Sequence, residues 1–240
     1  MSARGRSAGR TGGTPPRSAS RRRIARIVER MESELGRPER AADDDLVGSL
    51  VRTILSQNTS DVNSDRAYGS LRERFGSWSD VERASTRSIE AAIRSGGLAR
   101  TKSERIRRIL GVIRERAGKI DLTFLRDMET DAVLEYLESL DGVGPKTAAC
   151  VALFGLGREV VPVDTHVHRV VGRLGVVGTP ASPEKTFEAL RGVVPGGASL
   201  SFHVNLIRLG RRCCRPSRPD CTSCPLRRLC DAARGRKALD

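Results

Sequence analysis

From residue 24 to about residue 210 the apolar residues recur at helical spacing, and almost nowhere at the every-second-residue spacing of a half-buried strand. Ile24, Ile27, Val28, Met31 and Leu35 form one stripe, stopped by Gly36 and Pro38. Leu46, Val47, Leu50, Val51, Ile54 and Leu55 form a second, more buried one behind the acidic Asp43–Asp45. Ala67, Leu71 and Phe75 predict a third helix ended by Gly76, and Ile89, Ala92 and Ile93 a fourth stopped at Gly96-Gly97. Ile106, Ile109, Leu110 and Ile113 predict a fifth, and Thr130 is expected to cap a sixth carrying Val133, Leu134, Leu137 and Leu140. Further helices are expected at about 145–155, 165–174, 183–192 and 199–210. The one β-like run, Val160-Val161-Pro162-Val163, is short and broken by proline. The fold class is therefore all-α. Aromatic residues are only 3% of the chain, so its core must be built from Leu, Ile, Val and Ala. No apolar run approaches the roughly 18 residues of a membrane span.

Residues 1–23 hold almost nothing to bury and read as a disordered basic arm. They contain no apolar stretch of the secretory type, which predicts a cytoplasmic, nucleoid-associated protein and a reducing environment for its cysteines. The net charge of +14 is unevenly placed: +7 in residues 1–23, +7 in residues 208–240 and zero between. Two basic ends on a neutral body suit a polyanionic partner.

Five of the six cysteines fall within eighteen residues. Cys214, Cys221, Cys224 and Cys230 have the spacing C-x6-C-x2-C-x5-C, and Pro216, Pro219 and Pro225 make the segment a loop. Four thiolates on a short loop suit a tetrahedral metal ion or an iron–sulfur cubane. Cys213 is a spare neighbour, and Cys150 lies on an apolar helix face. Seven arginines surround the loop: Arg208, Arg211, Arg212, Arg215, Arg218, Arg227 and Arg228. They compensate a negative cluster, offer a surface to phosphates, or do both.

Leu140-Asp141-Gly142-Val143-Gly144-Pro145-Lys146-Thr147-Ala148 joins two helices. Two glycines two apart permit a tight turn with the backbone close to something bulky. Pro145 suits a first helical position, and the N–H groups that follow attract an anion such as a phosphate. This is the pattern of a helix–hairpin–helix element, which grips a DNA backbone without reading sequence. Taken alone, Lys146 is a solvated or phosphate-contacting lysine. Asp164, in Val163-Asp164-Thr165-His166-Val167-His168, is by itself an ordinary helix N-cap.

Taken together and in this order, LDGVGPKTA, VDTHVHRV and the four-cysteine spacing resemble the endonuclease III branch of the helix–hairpin–helix DNA glycosylases, over roughly residues 24–232. The resemblance implies two lobes: a six-helix barrel lobe over 44–157 ending in the hairpin, and a second helical lobe from 24–43 and 158–240 with a cluster loop at about 213–231. The active site would lie in the cleft between them. By the same resemblance Cys214, Cys221, Cys224 and Cys230 hold a 4Fe–4S cluster, Lys146 is the nucleophile and Asp164 its carboxylate partner. Breaking an N-glycosidic bond builds positive charge on the sugar, which a carboxylate stabilises. An amine attacking C1′ gives a Schiff base that permits β-elimination of the 3′ phosphate. Such a lysine needs a partly dry site or a neighbouring cation to depress its pKa.

The implied protein is a monomeric bifunctional glycosylase and AP lyase acting on oxidised pyrimidines or abasic sites in double-stranded DNA, with no membrane role. Gly142, Val143, Gly144 and Thr147 would meet the DNA backbone, Leu98 matches the family's wedge position, and His166 orders the turn after Asp164. One stretch departs from the family: Ile54-Leu55-Ser56-Gln57-Asn58-Thr59-Ser60-Asp61 stands where L-S-A-Q-A-T-D is usual. Gln57 is one position early, Asn58 occupies the usual Gln position, and either amide could pair with an orphaned base. This keeps open a glycosylase for mismatched or alkylated bases, and a non-catalytic DNA-binding iron–sulfur protein as a third reading.

Overall fold

The computed structural model describes residues 17–40, 44–178 and 182–235. Among them there is no strand, and no helix is long and apolar enough to cross a membrane. The chain divides into two compact units, residues 38–162 and residues 1–37 with 163–240.

The 38–162 unit opens with α2 (Leu46–Ser56), whose apolar residues are almost all buried. Asp45 caps it by accepting from the Gly48 amide, and both its oxygens also accept from the Trp78 indole. The stripe Ala67–Leu71 belongs to α3 (Asp61–Arg74), which starts earlier than its apolar residues because Ser60 caps it. A six-residue helix, α4 (Trp78–Arg83), was hidden from periodicity, since it buries only Trp78 and Val81. Then come α5 (Thr86–Ala92), a single 3-10 turn at Arg94–Gly96, and the long α6 (Ala99–Ala117). Ile106, Ile109, Leu110 and Ile113 of α6 are at most 2% exposed and form its core face. The helix α7 (Thr130–Glu138) has Glu129 rather than Thr130 at its N-cap, so the expected threonine cap is corrected: Thr130 is already helical. The stretch 145–155 is α8 (Pro145–Cys150) continued by a π-turn over Val151–Gly155, where the Leu156 amide reaches back to the Val151 carbonyl.

In the other unit α1 (Arg17–Leu35) packs against α11 (Ser199–Arg212), and α11 against α9 (Thr165–Leu174). The shorter α10 (Pro183–Leu190) packs on α9 and ends two residues before the sequence reading placed its end. The arm expected over 1–23 is corrected in part. Residues 17–23 are the first turns of α1, while 1–16 lie outside the described residues. The cause is Arg23, whose guanidinium donates to the carbonyls of Leu174, Gly175 and Leu229 and pairs with Asp231. Five fixed donors in one plane tie the start of α1 to the end of α9 and to the cysteine loop.

Candidate functional site

The hairpin between α7 and α8 turns at Gly142, whose φ of +75° is left-handed, while the Val143 amide donates to the Leu140 carbonyl. A Cβ at Gly142 would collide with the Arg105 side chain, so glycine is needed there on two counts. Gly144 is extended, and a side chain there would meet nothing. No side chain caps the start of α8. Lys146 is exposed at the second position of that helix, whereas the Val143 side chain is buried. Val143 can therefore offer a partner only its backbone.

Thr147 is also buried, and its hydroxyl accepts from Gln57 Nε2 at 3.0 Å. Gln57 Oε1 in turn accepts from Arg105 Nη1 at 2.9 Å. The structure thus joins two predicted residues, Gln57 and Thr147, directly, and adds Arg105, which the sequence reading did not single out, on the other end of the Gln57 amide. Both ends of the Gln57 amide are committed within the protein. Asn58, next to it, is exposed in the left-handed region at φ 53°. Leu98 is the other irregular position: φ 49°, with 59% of its surface exposed. A leucine in that conformation, facing solvent, is unfavourable twice over.

Asp164 behaves as the N-cap of α9, with Oδ1 accepting from the Val167 amide at 2.7 Å. The residue is half-buried. His166 Nδ1 lies 3.0 Å from Arg169 Nη2, and a Cβ at Gly210 of α11 would crowd the imidazole, so His166 orders the start of α9. His168 is hydrogen-bonded to Thr186 of α10. Lys146 belongs to the 38–162 unit and Asp164 to the other.

Cys214, Cys221, Cys224 and Cys230 are all half-buried on the loop after α11. Arg169 Nε donates to the Cys214 carbonyl at 3.0 Å, and Arg173 Nη1 reaches Cys214 Sγ at 3.5 Å and the Arg215 carbonyl at 2.6 Å. Burial pushes the Cys224 thiol up to about 12, and the neighbouring Cys213 and Cys214 push the same way. Burial likewise raises Cys230, which also senses Cys214 and Cys224. Cys224 and Cys230 thus sense their cysteine neighbours as well as their burial, and a metal centre bound among the four sulfurs would favour the thiolates. Donor set and surroundings fit such a group: four sulfurs, with guanidinium N–H groups of Arg169 and Arg173 turned toward the loop. Among the described residues no three His, Cys, Asp or Glu side chains already form a closed set for a single ion. Cys213 is 1% exposed, with its thiol turned back to the Leu209 carbonyl.

The sequence reading missed Arg105, Arg169 and Arg173, and most of all Lys102. That lysine is 2% exposed, and burial lowers its pKa. Its position was a signal: Lys102 precedes Ile106, Ile109 and Ile113 on the apolar stripe of α6, where a lysine is out of place.

Residues 51–195 match the model of the HhH-GPD superfamily of base excision DNA repair proteins. The chain is 32% identical over 212 residues to an endonuclease III of Thermotoga maritima, covering 88% of this chain and 95% of that one. It is 38% identical over 171 residues to an Arabidopsis thaliana protein named Putative DNA glycosylase At3g47830, covering 71% of this chain but only 58% of that one. Among solved structures, a trapped endonuclease III–DNA covalent intermediate superposes with a TM-score of 0.74 at 26% identity, over 90% of this chain and 98% of that chain.

Proposed function

Because the chain belongs to the HhH-GPD superfamily of base excision DNA repair proteins and is endonuclease III-like, we propose that it is a DNA glycosylase with AP lyase activity on damaged duplex DNA. Its substrates are oxidised pyrimidines and abasic sites, and it acts as a monomer in the compartment that holds the DNA. The observation that carries the reading is Lys146, exposed directly after a glycine turn, in a relative of a protein trapped covalently on DNA. The hairpin backbone from Gly142 to Gly144 receives a phosphate, and the target nucleotide is turned out of the helix.

The lysine amine attacks C1′ as the bond to the base breaks, and the departing base takes up a proton. Asp164 stabilises the positive charge that develops on the sugar. The ring then opens to a Schiff base between Lys146 and C1′. Loss of a C2′ proton expels the 3′ phosphate by β-elimination, and water releases the lysine. Cys214, Cys221, Cys224 and Cys230 would hold a 4Fe–4S cluster, which when bound supplies a rigid, charge-bearing cross-link for the loop. No step of the reaction runs through it.

Borohydride trapping on abasic-site duplex tests the reading. The wild type should form a covalent adduct and Lys146→Ala none; an undiminished adduct in Lys146→Ala would overturn it. The departure at Gln57-Asn58 supports a second reading, a glycosylase for mismatched or alkylated bases. A panel of thymine glycol, uracil, T·G and methylated-purine duplexes separates the two. Excision of thymine glycol alone removes the second reading, and excision of the others alone removes the oxidised-pyrimidine assignment.

A further inference from the structure

Lys102 is a buried ammonium with no carboxylate partner among the described residues. Its Nζ donates to the Leu55 carbonyl at 2.7 Å and to the Gly96 carbonyl at 2.8 Å. Those two carbonyls share a predicament. Leu55 is in the last turn of α2 and Gly96 ends the 3-10 turn, so neither carbonyl can be satisfied within its own helix. The Lys102 amide also donates to the Leu98 carbonyl, at 3.0 Å. Its side chain therefore holds Leu55, three residues before Asn58, and Gly96, two residues before Leu98, while its amide makes the backbone bond to Leu98 that any residue but proline would make.

Asn58 and Leu98 are two of only three described non-glycine residues with a left-handed backbone. Such conformations persist only where the surroundings over-determine them. Around Lys102 they are over-determined. A Cβ at Gly96 would sit 3.1 Å from the Ala67 Cβ, which presses the 3-10 turn against α3, and Ser95 Oγ donates to the Asn63 carbonyl. Arg105, one turn further along α6, fixes the adjacent Gln57. For stability alone this site would favour an apolar residue in line with Ile106, because an unpaired buried charge is costly. What the lysine supplies that methionine cannot is a single donor shared by two separate turns.

We propose that Lys102 is a positioning residue that locks the Asn58 turn and the Leu98 turn into one rigid wedge, which fills the duplex when a nucleotide is turned out. The proposal rests on the glycosylase and lyase reading and deepens it. It takes the wedge position of Leu98 and the orphaned-base position of Asn58 from the family resemblance, and adds Lys102 as the residue that holds the two turns together, with Gln57 braced internally on Thr147 and Arg105.

A wedge matters only where a partner strand leaves a gap to fill, so duplex and single-stranded DNA provide the contrast. The experiment measures single-turnover cleavage of the same abasic-site strand, alone and annealed, with the full chain. Lys102→Met should slow cleavage of the duplex at least thirtyfold and of the single strand less than threefold. In an Asn58→Ala, Leu98→Ala background the same substitution should change the duplex rate less than threefold, because the residues it positions are gone. If Lys102→Met does not fold by circular dichroism, Lys102→Leu, which likewise lacks a donor, goes through the same comparison with the same thresholds. Equal slowing on both forms of DNA, or an undiminished effect in the double-alanine background, overturns the proposal. A wild type that cleaves neither form overturns the enzymatic reading and the proposal with it, so the two failures are distinguishable.

Discussion

Gly142→Ala tests the hairpin geometry most directly. Two costs add. A left-handed alanine is strained by about 1 kcal/mol. The new Cβ also falls where the Arg105 side chain lies, so Arg105 must move and its bond to Gln57 Oε1 is lost. A hydrogen bond from a charged donor contributes about 1.5–3 kcal/mol, and half-burial of both groups brings this to about 1–2 kcal/mol here. The sum, about 2–3 kcal/mol, corresponds to a fall in Tm of roughly 4–12 °C for a chain of this size. The assay is thermal unfolding of the full chain followed by helical circular dichroism, run as a double-mutant cycle with Arg105→Ala. Once Arg105 is removed the space is clear, and alanine at 142 should cost only the strain of about 1 kcal/mol. Coupling of about 1–2 kcal/mol is therefore expected between two residues 37 positions apart. An equal cost in both backgrounds would refute the packing of Arg105 over the hairpin.

Asp164→Asn should leave Tm within about 1 °C, because asparagine caps as well as aspartate, yet abolish base excision; Asp164→Ala should lose about 1 kcal/mol as well. Cys221→Ser or Cys224→Ser should remove the brown colour of the purified protein, and Cys213→Ala should keep it, which visible absorption reads directly. Asp121 is held down to about 2 by Lys119 and by the Thr123 amide and hydroxyl. A carboxylate with a depressed folded-state pKa contributes stability above its unfolded value, near 4, and loses it as pH falls toward 2. Asp121→Asn should therefore flatten the acid limb of the stability curve between about pH 4 and pH 2, measured by urea titration, and leave the neutral range unchanged in slope.

The helices that carry continuous apolar stripes were legible because burial imposes the 3.6-residue period on a long segment. α2 and α6 needed nothing more than that. α4 was not legible, because six residues hold only two buried side chains and its start is fixed by Ser77 and by the Trp78 indole reaching Asp45. The start of α1 was misread for the opposite reason: its first turns are polar, and Arg23 orders them through partners 151 to 208 residues away. No local pattern reports a contact of that range. At the candidate site the paired glycines and the four-cysteine spacing stood out as patterns, whereas Lys146 was singled out only by the family resemblance. The sequence did not separate Gln57 from Asn58. Two adjacent amides are equivalent on paper, and only the donor from Arg105 and the acceptor on Thr147 show which of them is spoken for.

The arginine count reads differently once the fold is known. Arg23, Arg158, Arg169 and Arg173 each donate to two or more backbone carbonyls, in segments where the chain leaves a helix. Arg208, assigned by sequence to the basic surface of the cysteine loop, instead reaches the Leu35 carbonyl at the end of α1. A chain with so few aromatic residues has little bulk with which to seal irregular connections. A guanidinium satisfies several orphaned carbonyls at once while its stem covers apolar surface. Part of the +14 is therefore structural, and net charge overstates the surface available to a polyanion. Arg158 makes the distinction measurable. Its Nη2 serves the carbonyls of Leu125, Arg126 and Met128. Arg158→Lys keeps the charge but not the planar fork, so it should lower Tm by several degrees while leaving the salt dependence of DNA binding unchanged. Arg227→Ala, at an exposed position beside Cys224, should do the reverse. If both substitutions moved the salt dependence equally, the division of the arginines into clamps and contacts would be wrong.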